Sequence, residues 1–117
     1  MVEMEFRAQD PVAVHLRDAL GQPCAARLDA LAADGLRLRC ADTTARRLLA
    51  QGTGLESLVH AEFDLPLARG PARVSVGLRL CERRVAPDGA DWEVGCQFLA
   101  LRPRARRLLE AFLRECR

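Results

Sequence analysis

Apolar and polar residues alternate strictly through much of this chain, the pattern of strands with one buried and one wet face. Val12, Val14 and Leu16 alternate with Ala13, His15 and Arg17 up to a turn signal at Gly21-Gln22-Pro23. Cys24, Ala26 and Leu28 then oppose Arg27 and Asp29, and after Asp34-Gly35 the residues Leu36, Leu38 and Cys40 oppose Arg37 and Arg39. These two runs predict a hairpin, with Asp34-Gly35 as its tight turn and Gly35 supplying the positive φ such turns use. Further on, Val59, Ala61, Phe63 and Leu65 alternate with His60, Glu62 and Asp64, and the stretch from Pro66 to Pro71, with Gly70, predicts a break. The longest alternation sets Ala72, Val74, Val76, Leu78 and Leu80 against Arg73, Ser75, Arg79 and Arg83. A turn at Pro87-Asp88-Gly89 returns the chain through Trp92, Val94, Cys96 and Phe98, with Glu93 and Gln97 outside.

The period changes twice. Ala45, Leu48 and Leu49 recur at helical spacing behind Asp42, Thr43 and Thr44, and Gly52 and Gly54 close the segment, which predicts a short helix near 43–51. Pro103 stands where a helix starts, and Ala105, Leu108, Leu109, Phe112 and Cys116 form one stripe, which predicts a C-terminal amphipathic helix. Six one-faced strands hide their apolar sides most economically by mutual closure, so a mainly β, small antiparallel barrel flanked by the last helix is expected. Its 117 residues fit one domain spanning 1–117, with 1–10 a flexible N-terminal segment.

Composition narrows the chemistry. The chain contains no Lys, Asn, Ile or Tyr, so all 18 basic residues are Arg; codon bias of a GC-rich bacterial genome is the simplest cause. Sixteen carboxylates nearly balance them, leaving +2, less excess than a nucleic-acid-binding domain usually carries. Five cysteines at 24, 40, 81, 96 and 116 form no Cys-x-x-Cys pair and read as reduced, inert core thiols of a cytoplasmic protein. Neither an N-terminal signal nor an apolar run of membrane-spanning length is legible, so membrane insertion is not expected.

The strand pair around a Gly turn, the Pro-broken hairpin, the block Val94-Gly95-Cys96-Gln97-Phe98 and the Arg-rich helix that follows it resemble, in that order, the PilZ domain family. The resemblance spans nearly the whole chain. It implies a six-stranded barrel that receives the bacterial second messenger cyclic di-GMP and alters contacts with a partner, in processes such as type IV pilus function or motility. Two motifs carry the ligand in that family: Arg-x-x-x-Arg before the first strand, and Asp/Asn-x-Ser-x-x-Gly at the strand turn. A planar guanidinium fork suits phosphate well.

This chain departs from both motifs. Before Val12 the only arginine is Arg7, with Glu3 and Pro11 four positions to either side, and the turn reads Ala30-Leu31-Ala32-Ala33-Asp34-Gly35. Losing one charged fork at roughly 1.5–3 kcal/mol and two neutral contacts at about 1 kcal/mol each amounts to ~4 kcal/mol, about a thousandfold in affinity. The expectation is a non-catalytic module of cyclic di-GMP or motility signalling that works by protein–protein contact, its nucleotide site degraded and its cyclic di-GMP affinity weak or absent. The alternative is a cyclic di-GMP receptor with a rearranged site, for which Arg7, Gly35, Arg37 and Arg39 are the candidate ligand-binding residues. A small-barrel nucleic-acid binder is less favoured, because Phe63, Trp92 and Phe98 project to the apolar side and leave no stacking platform.

The unidentified protein partner is assigned to the C-terminal helix. Arg102, Arg104, Arg106 and Arg107 crowd its N-terminal end, where positive charge opposes the helix dipole, so Arg104 and Arg107 are the candidate partner-binding residues. The row His60, Glu62, Asp64 offers poor metal geometry and reads as a solvated face. Neither a Ser-His-Asp order nor a phosphate loop is present, so no catalytic residue, metal or cofactor is assigned.

Overall fold

In the computed structural model, residues 3–5, 11–18, 20–49 and 58–116 are described. Among them, seven strands and two helices follow in the order β1 (Glu3–Glu5), β2 (Ala13–Arg17), β3 (Pro23–Ala32), β4 (Gly35–Cys40), α1 (Asp42–Leu49), β5 (Leu58–Leu67), β6 (Gly70–Val85), β7 (Trp92–Leu99) and α2 (Pro103–Glu115). Six strands close a ring in the order β3-β2-β5-β6-β7-β4, sealed by the β3–β4 hairpin, and all pairings are antiparallel. Where the sequence suggests a flexible N-terminal segment, β1 pairs with the end of β3, Glu3 opposite Ala32 and Glu5 opposite Ala30.

The alternating residues fill the ring. Val14, Leu16, Leu31, Leu38, Phe63, Leu65, Val74, Leu78 and Val94 are fully buried. A side chain such as Phe63 contributes about 1.5–3 kcal/mol on such burial. Helix α2 lays Ala105, Leu109, Phe112 and Leu113 against β5 and β6, and α1 places Ala45 and Leu48 against the core beside β3 and β7. The predicted helix end at Gln51, Gly52 and Gly54 lies outside the described residues.

Four local expectations are corrected. The chain between Pro66 and Pro71 is not a break: the two prolines face each other inside a continuous β5–β6 hairpin that turns at Ala68-Arg69. Both lie beyond the part of the hairpin that pairs with β2 and β7, so no neighbouring strand needs the N–H that proline lacks. The β3–β4 turn is made by Ala33 and Asp34, while Gly35 is the first residue of β4 and has no positive φ. A bulge between Leu80 and Glu82 reverses the phase of β6, so that Arg84 joins Glu93 on the outer face and Arg83 falls opposite Val94. Finally, Cys81 in that bulge and Cys116 past α2 are exposed, whereas Cys40 and Cys96 are buried as expected.

Candidate functional site

The outer surface at the β3–β4 turn carries an open cleft of about 390 Å³. It exists because the outward positions there are small: Ala30 and Ala32 on β3, Gly35 on β4 and Gly95 on β7. Gly35 is demanded by close approach, since a Cβ on it would lie 2.2 Å from the carbonyl oxygen of Cys96. Beside it, Asp34 accepts a backbone hydrogen bond from Phe98 at 3.0 Å, which fixes the turn to β7. A Cβ on Gly95 would meet the Glu82 side chain at 2.8 Å, so the bulged β6 delivers a carboxylate into the cleft.

Arg37 lines this cleft and Arg39 stands two residues along the same strand face, but both are held by acids. Arg37 Nε donates to Asp29 Oδ2 at 2.6 Å and lies 3.7 Å from Glu93 Oε2. Arg39 Nη2 lies 3.9 Å from both Glu93 Oε1 and Asp88 Oδ2, and its Nε is buried without a hydrogen-bond acceptor. Arg84 Nε donates to Glu93 Oε2 at 2.6 Å. Glu93, expected outside in water, is therefore outward-facing yet only 6% exposed beneath three guanidinium groups. Asp34 and Glu82 add two further carboxylates to the cleft. An incoming phosphodiester would meet one arginine already neutralised and two like charges.

Of the sequence-derived candidates, the fold brings Gly35 and Arg37 into one cleft and sets Arg39 beside them; Arg7 lies outside the described residues. Arg104 and Arg107 are exposed on α2 and do not line that cleft, and Arg104 Nη1 donates to the Arg73 carbonyl at 2.8 Å. The row His60, Glu62, Asp64 is engaged from the next strand: Arg73 holds Glu62 at 3.3 Å and Asp64 at 2.8 Å, and Ser75 Oγ lies 2.7 Å from His60 Nε2. Sequence reasoning missed Glu82 and Cys81 as cleft residues, because only the bulge turns them toward it; the doublet Glu82-Arg83, interrupting a clean alternation, was the available signal.

No protein-family model and no curated protein sequence matches the chain. Solved structures do. The inhibitor of motility MotI/DgrA of Bacillus subtilis superposes with a TM-score of 0.71 at 12% identity, over 98% of this chain and 49% of that one. K. pneumonia MrkH in complex with c-di-GMP gives 0.72 at 15% identity, over 98% and 50%. The PilZ domain of Escherichia coli YcgR, with c-di-GMP, gives 0.61 at 12% identity, over 97% and 87%. The chain spans about half the length of the first two. Its barrel is the PilZ fold that the sequence resemblance implies.

Proposed function

We propose that this chain, with its PilZ-type barrel, is a non-catalytic module of bacterial cyclic di-GMP or motility signalling that acts in the cytoplasm by contacting another protein, its nucleotide site lost. The observation that carries this reading is the charge of the cleft at the β3–β4 turn. Arg37 is bound to Asp29, and Asp34 and Glu82 face the same space, so nothing among its described residues offers a dianion an unpaired cation. Freeing Arg37 for phosphate would leave the Asp29 carboxylate uncompensated, a cost as large as the benefit of pairing the guanidinium with the phosphate. The names of the structural neighbours, two of them complexes with c-di-GMP and one an inhibitor of motility, support the signalling class.

Catalysis is not supported by the Ser-His-Glu grouping on β5 and β6. His60 Nε2 faces both Ser75 Oγ at 2.7 Å and Glu62 Oε1 at 3.7 Å, whereas a relay needs the acid on the other ring nitrogen. No helix among the described residues is long and apolar enough to cross a membrane.

A thermal-shift titration tests the reading. Ligand at a hundredfold excess over Kd stabilises a receptor by about 2.7 kcal/mol, roughly 10 °C in Tm for a domain of this size. No shift with cyclic di-GMP is expected; a shift that GTP does not reproduce would restore the receptor alternative.

A further inference from the structure

A second cleft, of about 290 Å³, lies where β7 hands over to α2, its Leu99 two residues along β7 from Gln97 of the first cleft. Gly77 forms its floor, Ser75 and His60 one wall, and Leu99, Leu101 and Arg102 the other. The register places His60 and Leu99 on either side of Gly77, and a Cβ there would meet nothing closer than Leu99 Cβ at 3.8 Å, so the space is open for want of a side chain. Ala100 turns the corner with φ of 42°, in the left-handed region that alanine rarely adopts. The cleft is thus half apolar and half polar, with a cation at its rim.

Nine of the sixteen described arginines have no described carboxylate within 4.0 Å, and four of the nine, Arg102, Arg104, Arg106 and Arg107, crowd the start of α2. Arg27, Arg37, Arg39, Arg46, Arg47, Arg73 and Arg84 each lie within 3.9 Å of a carboxylate. Arg102, Arg106 and Arg107 have no such partner among the described residues, and all three are exposed. They stand at the N-terminal end of α2, which has no acidic residue in its first turn and no side-chain cap. Positive charge at this end opposes the helix dipole, and an external carboxylate would relieve both.

We infer that this cleft and the adjoining arginines dock an acidic segment of a partner protein, one apolar side chain seated over Gly77 against Leu99 and Leu101 and flanking carboxylates on Arg102, Arg106 and Arg107. The inference rests on the protein-contact reading above and specifies its partner. A membrane surface is the poorer occupant, because only Leu58, of the exposed large apolar residues Leu20, Leu58 and Val85, lies within two positions of a cleft residue, and Glu62 follows His60 on the same strand face. Nucleic acid is poorer still, since no exposed aromatic among the described residues stands beside these arginines to stack on a base.

The probe is a short synthetic peptide in which glutamates flank a single leucine, followed by fluorescence anisotropy and by amide NMR shifts of the full chain. Binding is expected to move the amides of Gly77, Ala100 and Arg102. Arg102→Glu and Arg106→Glu should each weaken it about tenfold, the loss of one charge-assisted contact, while Arg114→Glu at the far end of the same helix should not. Gly77→Val fills the cleft without changing charge and should weaken binding as well. Equal losses with Arg114→Glu, no effect of Gly77→Val, or tighter binding to anionic phospholipid vesicles or a DNA duplex at the same ionic strength would overturn the inference. Failure of the peptide while the protein stays silent toward cyclic di-GMP removes this inference alone; a cyclic di-GMP response removes the reading beneath it.

Discussion

Gly35 and Cys96 approach so closely that a methyl group on the first would lie 2.2 Å from the carbonyl oxygen of the second. In the family this chain resembles, the corresponding glycine belongs to a ligand motif, but here its place is explained by the seam between β4 and β7. Gly35→Ala forces those strands apart and should cost about 1–3 kcal/mol, as overpacking does. Urea denaturation would read the loss as a lower midpoint with an unchanged slope. An unperturbed midpoint would show that the seam relaxes freely and that the glycine is not structural.

Glu93 should be the costliest surface-facing carboxylate to remove. It is 6% exposed and meets Arg37, Arg39 and Arg84, so Glu93→Ala leaves the partly buried Arg37 and Arg39 with only Asp29 and Asp88 as counter-charges, at about 2 kcal/mol. Arg84 is 68% exposed, and Arg84→Ala should cost less than about 1 kcal/mol despite its 2.6 Å contact. Denaturation midpoints of the two variants give the comparison directly.

The thiols should divide by exposure. Cys81 and Cys116 should react with a disulfide reagent in the native protein, and Cys40 and Cys96 only after unfolding. Burial, aided by the Asp91 carboxylate, pushes the Cys40 thiol up to about 11, and burial raises Cys96 as well. A folded-state pKa above the unfolded one means the stabilisation is intact below the ordinary thiol range, about pH 8.5, and is lost as pH rises toward that of the buried group. Stability should therefore fall between about pH 9 and 11, and Cys40→Ala should flatten part of that fall.

The single tryptophan reports on α1. Trp92 Nε1 donates to Asp42 Oδ1 at 2.8 Å, Asp42 Oδ2 receives Arg46 at 2.7 Å, and the Arg83 guanidinium lies 5.9 Å from the indole centre. Asp42→Ala removes the indole acceptor and the only acid in the first turn of α1, so it should cost about 1.5–3 kcal/mol and red-shift the emission. An unchanged spectrum would mean that the indole has no need of this carboxylate.

What could be read from the sequence depended on whether one strand sufficed to show it. The inward row Leu36, Leu38, Cys40 and the α2 stripe through Leu109 and Phe112 follow from local periodicity, and the ring follows from having six such rows. The bulge at Leu80 and Glu82 was hidden, because one extra residue reverses the phase without any change in composition. Pro66 and Pro71 looked like a break because their tolerance depends on which edges their partners leave free. Glu93 looked solvated because its cover comes from β4 and the far end of β6. The missing ligand motif was legible as Ala30 and Ala32, but the neutralisation of Arg37 by Asp29 required the hairpin register.

The most direct test of the central claim is calorimetric titration of the purified chain with cyclic di-GMP, with GTP as control, beside the variant Ala30→Asp/Ala32→Ser that restores the polar turn. The account predicts no binding heat from the wild-type chain at high ligand concentration. Selective micromolar binding by the wild-type chain, lost on Arg37→Ala or Arg7→Ala, would contradict it and make this barrel a receptor with a rearranged site.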